Sequence, residues 1–156
     1  MCDRGVARAF HSTIDRDRHQ ALMPRLAHAG LCPRILHMDG WHLCLERCES
    51  FSEWHRKASE SEIGAMRTKV IGLIQDLHAA GVCHRDLHED NLVFKSGRPL
   101  VIDLEYACAV DPTGPCYDLY GPSEGHQGRL FRHWWDSPTG GLHDTFGPLH
   151  PGTRSA

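Results

Sequence analysis

Long apolar runs and a strong charge of either sign are both missing from this 156-residue chain. No stretch approaches the roughly 18 consecutive apolar residues that span a bilayer, which argues against a membrane protein or a membrane partner. The 17 Lys and Arg against 20 Asp and Glu give a formal net charge of -3, which disfavours a nucleic-acid partner. With 40% hydrophobic and 24% charged residues, the composition is that of an ordinary globular protein.

We expect neither a leader segment nor a disulfide framework. The N-terminus lacks the basic-then-apolar layout of a signal peptide, and no two of the seven cysteines form C-x-x-C. These absences favour reduced, partly buried thiols over disulfides, and we expect a cytoplasmic location, with the nucleus as the alternative. None of the usual structural zinc sites has the spacing of His42, Cys44, Cys48 and His55.

The N-terminal part of the chain is predicted to hold a loose segment, a helix and a hairpin. Residues 1–13 carry no apolar period. Apolar positions over 14–29 follow one helix face, which Pro24 interrupts. Two short strands, over 32–37 and 41–46, flank an Asp-Gly pair that is typical of a hairpin turn.

The clearest element is a helix over 59–80. Ser59 and Glu62 have the spacing of a capping box, and apolar residues then recur at i, i+3, i+4 and i+7. Two short apolar runs follow, over 91–94 and 100–104, and a turn sequence joins them. This pattern predicts a β-hairpin.

The last 36 residues, 121–156, are dense in Gly and Pro and predict an irregular, partly disordered tail. Trp134 and Trp135 are among its main apolar anchors. Two interpretations stay open at this point: the tryptophans pack back on the domain, or they form an exposed partner site.

Polar residues suited to chemistry cluster between the long helix and the hairpin. Because the hairpin is short, Asn91 at its entrance and Asp103 at its exit are expected side by side, with Asp86 on the loop just before. Such oxygen donors suit Mg²⁺, whose remaining waters phosphate can replace. An unliganded Asp86 could accept a hydrogen bond from an attacking hydroxyl. Phosphoryl transfer needs this combination of metal and carboxylate.

The same residues resemble the protein-kinase-like superfamily. His84-Arg85-Asp86 with Asn91 matches the catalytic loop H-R-D-x-x-x-x-N, and Asp103 stands where the metal-binding Asp of D-F-G stands. The D-x-H-x-x-N pattern, which contains His88, is similar to that of aminoglycoside phosphotransferases and choline kinases. So is the later Ile-Asp-Leu-Glu-Tyr-Ala.

This resemblance implies ATP and Mg²⁺ as cofactors and a role for each matched residue. Asp86 would orient or deprotonate the acceptor hydroxyl, which belongs to a protein or a small molecule. Asn91 and Asp103 would hold Mg²⁺ across the ATP phosphates. His88 would either stabilise charge near the transferred phosphoryl group or simply pack. The segment from Glu46 to Cys48 would be the hinge that binds adenine through its backbone.

The implied fold class is α+β and protein-kinase-like, mostly C-lobe, with a reduced N-lobe sheet and an irregular C-terminal tail. We expect a loose N-terminus over 1–13, a truncated kinase-like domain over 14–120 and the tail over 121–156. The helix over 14–29 resembles the one that normally supplies a Glu to the ATP-binding Lys, but it has no Glu and only Gln20 near that place. No glycine-rich loop and no strand bearing V-A-I-K are recognisable before it.

Three hypotheses follow. The leading one is an ATP- and Mg²⁺-dependent phosphotransferase, weakened because it lacks the glycine-rich loop and the lysine. The second is a catalytically inactive pseudokinase that works as a binding module for a protein partner. The third is a gene fragment without a settled function.

Overall fold

The structure is a computed structural model that describes residues 4–109 and Trp134. The described helices are α1 (Thr13–His28), α2 (Phe51–Lys57) and α3 (Glu60–Ala79). None of these described helices has the length and apolarity that a membrane span requires. The strands are β1 (Gly5–Ala9), β2 (Ile35–Met38), β3 (His42–Glu46), β4 (Glu49–Ser50), β5 (Val82–Cys83), β6 (Leu92–Lys95), β7 (Arg98–Val101) and β8 (Cys108–Ala109).

The strands form three small antiparallel sheets, ordered β1-β3-β2, β4-β6-β7 and β5-β8. Together with three helices they make a mixed fold that agrees with the predicted α+β class. The Asp-Gly hairpin, the long helix and the second hairpin all occur within a few residues of their predicted bounds.

The structure departs from the sequence prediction at the N-terminus, because Gly5–Ala9 is a strand and not a loose segment. Its five residues pair with β3, from Gly5 opposite Glu46 to Ala9 opposite His42. The strand shows no apolar alternation, and most of its side chains are exposed or half-buried. Backbone pairing with β3 therefore defines this strand, since its side-chain pattern alone does not predict a strand.

Helix α1 runs through Pro24 without ending there. Ser12 caps its N-terminus by accepting a hydrogen bond from the backbone N–H of Asp15. Met23 and Leu26, on either side of the proline, are fully buried. Tertiary packing therefore holds the helix together where the proline removes a backbone hydrogen bond.

Helix α3 supplies much of the core. Its predicted capping box is confirmed, since the Ser59 side chain accepts from the backbone of Glu62 and the Glu62 side chain accepts from the backbone of Ser59. The apolar stripe that the sequence predicted is buried, at Met66, Val70, Leu73, Ile74 and Leu77.

Helix α2 had no sequence prediction, and it carries an aromatic cluster. Phe51 packs against Phe94, with ring centroids 5.8 Å apart, and against Trp134 at 6.2 Å. Trp134 is only 3% exposed. Of the two interpretations of the tail tryptophans, packing back on the domain is the one seen for Trp134. Trp135 and the predicted boundary at 120/121 lie outside the described residues.

Two cysteines differ from the expectation of reduced thiols. Cys44 and Cys83 are buried and disulfide-bonded. Cys32, Cys48 and Cys108 are free. The prediction of reduced thiols is therefore wrong for Cys44 and Cys83.

Candidate active site

A cavity of about 630 Å³ opens between the first sheet and the β6–β7 hairpin. Apolar side chains from both sides line it, including Val6, Leu43, Leu45, Val93 and Ile102. Four residues predicted from the sequence also line it: Glu46, Cys48, Asn91 and Asp103. The fold thus brings the predicted hinge and the predicted metal ligands to one cavity.

The β6–β7 hairpin is what brings Asn91 and Asp103 together. Leu92 pairs with Val101, and just beyond this pair the backbone N–H of Ile102 donates to the carbonyl of Asn91 at 3.1 Å. The two side chains therefore start from neighbouring points at the open end of the hairpin. Asp103 has a φ of 60°, in the left-handed region that Asp tolerates better than most residues other than glycine.

Hydrogen bonds hold the loop that carries Asp86. The Asn91 side-chain nitrogen Nδ2 donates to the Asp86 carbonyl at 2.8 Å and lies 3.3 Å from the Asp86 carboxylate. The backbone N–H of Asp86 donates to Nδ1 of His84 at 3.2 Å. Nε2 of His84 lies 2.8 Å from the carbonyl of Ile102. His84 thus ties the loop to the strand end that leads into Asp103.

His88 is buried against the same loop. Its Nδ1 accepts from the backbone N–H of Asp90 at 3.2 Å, and its Nε2 lies 3.0 Å from Nδ2 of Asn91. The distance from Nε2 to the Asp86 carboxylate is 3.8 Å. With Nδ1 as the acceptor, the neutral ring carries its proton on Nε2, so the hydrogen bond from the Asp90 backbone is the contact through which His88 braces the loop.

An arginine on β1 also belongs to the site, and it was not among the residues predicted from the sequence. Nη2 of Arg8 lies 2.6 Å from Oδ2 of Asp15, and Nη1 lies 3.0 Å from Oδ1 of Asp103. In protein kinases a strand lysine and a helix glutamate form an ion pair beside the metal-binding Asp. Arg8 and Asp15 stand in that arrangement here. The helix residue that pairs with the cation was expected near Gln20. Gln20 does not fill this position, since it is exposed and its side chain donates to the Asp39 carbonyl.

A signal for this pair was present in the sequence. Val6-Ala7-Arg8 precedes the helix in the way that V-A-I-K does in kinases, but it is one residue shorter and has a different cation, and Asp15 lies in the first turn of that helix. A search limited to Lys and Glu overlooks this chemically similar pair. Arg8 also lies in the segment without an apolar period, where no strand was expected.

The charge of Arg8 sets the ionisation of Asp103. Partial burial opposes ionisation, but the charge of Arg8 and its hydrogen bond outweigh this effect and lower the pKa of Asp103. Asp103 is therefore an anion at neutral pH. Arg8 and the backbone N–H of Glu105 both bond Oδ1 of Asp103, and neither contact uses Oδ2.

The donor set at the hairpin mouth fits Mg²⁺. Asn91 contributes an amide oxygen and Asp103 a carboxylate, both beside the same cavity, and hard cations prefer such ligands. A second group of potential ligand atoms, on His11, Asp15 and Glu105, lies within 4.8 Å of one another. Within this second group, Oδ2 of Asp15 already accepts a hydrogen bond from the guanidinium of Arg8.

The predicted hinge is anchored by its acidic side chain. Glu46 accepts from Nζ of Lys95 at 2.7 Å and from the backbone N–H of Arg34 at 2.9 Å, and these bonds lower the pKa of Glu46. At the other end of the segment, burial raises the pKa of the Cys48 thiol, so Cys48 stays protonated at neutral pH. Glu46 and Cys48 thus line the cavity with an ion-paired carboxylate and a neutral thiol.

The order of helix, catalytic loop, hairpin and metal-type Asp is that of the protein-kinase-like superfamily, as the sequence resemblance implied. A model of the phosphotransferase enzyme family, which belongs to that superfamily, matches residues 45–139. Because the match spans more than half of the chain, the protein belongs to the phosphotransferase enzyme family. A comparison with curated proteins finds none that matches the chain.

Proposed function

We propose that this protein transfers the γ-phosphoryl group of ATP to a hydroxyl in a reaction that needs Mg²⁺. The observation that carries the proposal is the double contact of Arg8, which joins Asp15 of α1 to Asp103 at the cavity wall. Membership of the phosphotransferase enzyme family supports transfer of a phosphoryl group. The cation, the carboxylates and the cavity supply the chemistry that such a transfer requires.

The nucleotide is proposed to lie along the cavity. At about 630 Å³ the cavity has the size of a small-molecule site, and its apolar walls suit a flat base. In this proposal the backbone between Glu46 and Cys48 binds the base. Arg8 also lines the cavity, and in this proposal its planar fork of donors meets the phosphates.

Asn91 and Asp103 are the residues proposed to hold Mg²⁺, which when bound neutralises charge on the phosphates. Asp103 contributes an anion at neutral pH because Arg8 lowers its pKa. Asn91 contributes its amide oxygen while its nitrogen holds the Asp86 loop. One side chain therefore links the metal ligands to the proposed base.

Asp86 is proposed to accept the proton of the acceptor hydroxyl and to aim its oxygen at the phosphoryl group. The backbone and side-chain contacts from His84 and Asn91 fix the loop on both sides of Asp86. In this proposal His88 braces the loop. Little reorganisation is then needed at the moment of transfer.

Arg8 supplies a cation that the site was expected to lack. From the sequence, no phosphate-pairing cation was expected before α1, and the loss of such a contact would remove about 1.5–3 kcal/mol of interaction. Arg8 supplies a permanent positive charge at this place. One contact surface suggested for the alternative, an inactive binding module, was the tryptophan pair of the tail, and Trp134 is buried.

Nucleotide binding with and without Mg²⁺ tests the proposal. We expect wild-type protein to bind ATP with Mg²⁺ and D103A to lose the Mg²⁺-dependent part. We expect D86N to bind but to lose phosphotransfer, measured as acceptor-dependent ADP release. D90A is the matched control, since Asp90 is exposed on the same loop and should behave as wild type.

Two results would contradict the proposal. Absence of nucleotide binding at millimolar concentration in a demonstrably folded protein excludes an ATP site. Tight binding without transfer to any hydroxyl in a panel of proteins and small molecules supports the inactive binding module.

A further inference from the structure

His19, on the buried side of α1, makes hydrogen bonds through both ring nitrogens. Its Nε2 accepts from the backbone N–H of Leu104 at 3.0 Å. Because Nε2 is an acceptor, the neutral ring carries its proton on Nδ1. Nδ1 lies 2.9 Å from the carbonyl and 2.8 Å from Oδ1 of Asp15. The imidazole therefore bridges the first turn of α1 and the backbone that follows Asp103.

The environment keeps this ring neutral. His19 is 0% exposed, and burial lowers its pKa. Arg8 lowers the pKa further, while Asp15 and Asp103 oppose the shift without reversing it. A neutral ring is needed here, because a protonated Nε2 could not accept from Leu104.

The bridged segment is one where the backbone needs support. Asp103 has a φ of 60°, and a residue other than glycine keeps such a conformation only where its surroundings hold it. Leu104, the next residue, is 0% exposed, and its N–H ends on His19. The hydrogen bond thus fixes the peptide that directly follows the strained position.

Two bridges therefore join α1 to the Asp103 turn. One is ionic and runs from Asp15 through Arg8 to the Asp103 carboxylate. The other runs from Asp15 through His19 to the Leu104 backbone. Together they close a ring of contacts that sets both the direction of the Asp103 side chain and the course of its backbone.

We propose that His19 is a positioning residue for the metal-binding carboxylate, because its neutral imidazole holds the Asp103 turn against α1. The inference rests on the proposed function. It assigns His19 no contact with nucleotide, so its loss should weaken divalent-cation binding and leave metal-free nucleotide binding unchanged. Partners of metal ligands typically contribute about 10-fold to 100-fold to metal affinity.

Three variants separate the positioning role of His19 from simple filling of space in the core. Leucine has a similar size and fills the same space, so H19L keeps the apolar packing but leaves the Leu104 N–H without its acceptor. Glutamine can present an oxygen where Nε2 lies, so H19Q should keep the bond. H28L is the matched control, because His28 is exposed at the far end of the same helix.

The experiment measures Mn²⁺ binding in the presence of ADP by electron paramagnetic resonance, with thermal melting to show that each variant is folded. We expect H19L to bind Mn²⁺ at least about 10-fold more weakly, and H19Q and H28L to stay near wild type. Nuclear magnetic resonance of the wild type should show His19 protonated on Nδ1 and the Leu104 amide protected from exchange.

The outcomes separate the inference from the proposed function. If wild type binds Mn²⁺ with ADP and a folded H19L binds equally well, the positioning role is wrong and the proposed function stands. If wild type binds neither Mn²⁺ nor ADP, the positioning role and the proposed function are both wrong. If H19L does not fold, the other measurements decide. A protonated Nε2 or an unprotected Leu104 amide in wild type overturns the inference. A protected Leu104 amide together with wild-type Mn²⁺ affinity in H19Q supports it.

Discussion

Nη1 of Arg8 lies 3.0 Å from Oδ1 of Asp103, although the two residues are 95 positions apart in the chain. This contact joins the first strand to the end of the second hairpin across the candidate nucleotide cavity. The same guanidinium reaches Asp15, whose side chain is fully buried. One cation therefore contacts two carboxylates from different elements.

Replacing Arg8 should affect both stability and nucleotide binding. In R8M the Asp15 and Asp103 carboxylates lose their shared partner, and the proposed phosphate contact disappears. We expect affinity for Mg²⁺-ATP to fall by about 10-fold to 100-fold, in line with the roughly 1.5–3 kcal/mol of a charge-assisted hydrogen bond.

Calorimetric titration with ATP measures this loss, and R8K is the matched control. Lysine keeps the charge but lacks the planar fork, so R8K should fall between R8M and wild type. Equal affinity for all three proteins would show that Arg8 does not meet the phosphates.

Asn91 should matter to both the metal and the loop. Its Nδ2 donates to the buried Asp86 carbonyl, so N91A should lower the free energy of unfolding by about 1–3 kcal/mol and should abolish phosphotransfer. Urea unfolding and a transfer assay measure the two effects. D90A, on the same loop, should change neither, and an active N91A would contradict the proposed ligand set.

The stability of the protein should depend on pH through His19. Its pKa in the folded state is lower than the ordinary value of 6.5, so the unfolded chain binds a proton that the folded chain refuses. This contribution is complete above pH 6.5 and is lost as the pH falls below that value.

The measurement compares free energies of unfolding at pH 7.5 and pH 5.5 for wild type, H19Q and H28Q. Other titrating groups contribute equally to all three proteins and cancel in the differences. Wild type and H28Q should lose more stability than H19Q on acidification. Equal losses in the three proteins would mean that His19 takes up its proton as readily when folded as when unfolded.

Trp134 should contribute to the stability of the fold. It is buried against Phe51, so W134A should lower the free energy of unfolding by about 3–5 kcal/mol. Urea unfolding measures the change. Trp41 is 75% exposed, and W41A is the matched control that should change stability little. Similar stabilities of the two variants would show that the Trp134 contact contributes nothing.

The candidate site could be predicted from the sequence where neighbouring residues carry the information. The loop with Asp86 and Asn91 and the short hairpin that ends in Asp103 lie within one continuous stretch. A hairpin of fixed length leaves little freedom in where its two ends meet. The side chains at those ends were therefore expected together, and the structure places both beside one cavity.

The N-terminal half of the site could not be predicted in this way. Strand β1 has no apolar alternation, and it forms because its backbone pairs with β3, almost 40 residues later. The sequence shows that Arg8 and Asp15 are present, but their partners depend on which surface of α1 faces the hairpin. Pro24 likewise suggested a break that the packing of Met23 and Leu26 overrides.

The sequence by itself determined the elements whose signals are local: the capped helix α3, the hairpins and the order of the catalytic loop before Asp103. Short-range hydrogen bonds and apolar periodicity specify these elements without reference to the rest of the chain. Only the tertiary structure decided that Arg8 and His19 converge on the Asp103 turn, because contacts that span more than 80 residues depend on how the sheets and α1 pack together.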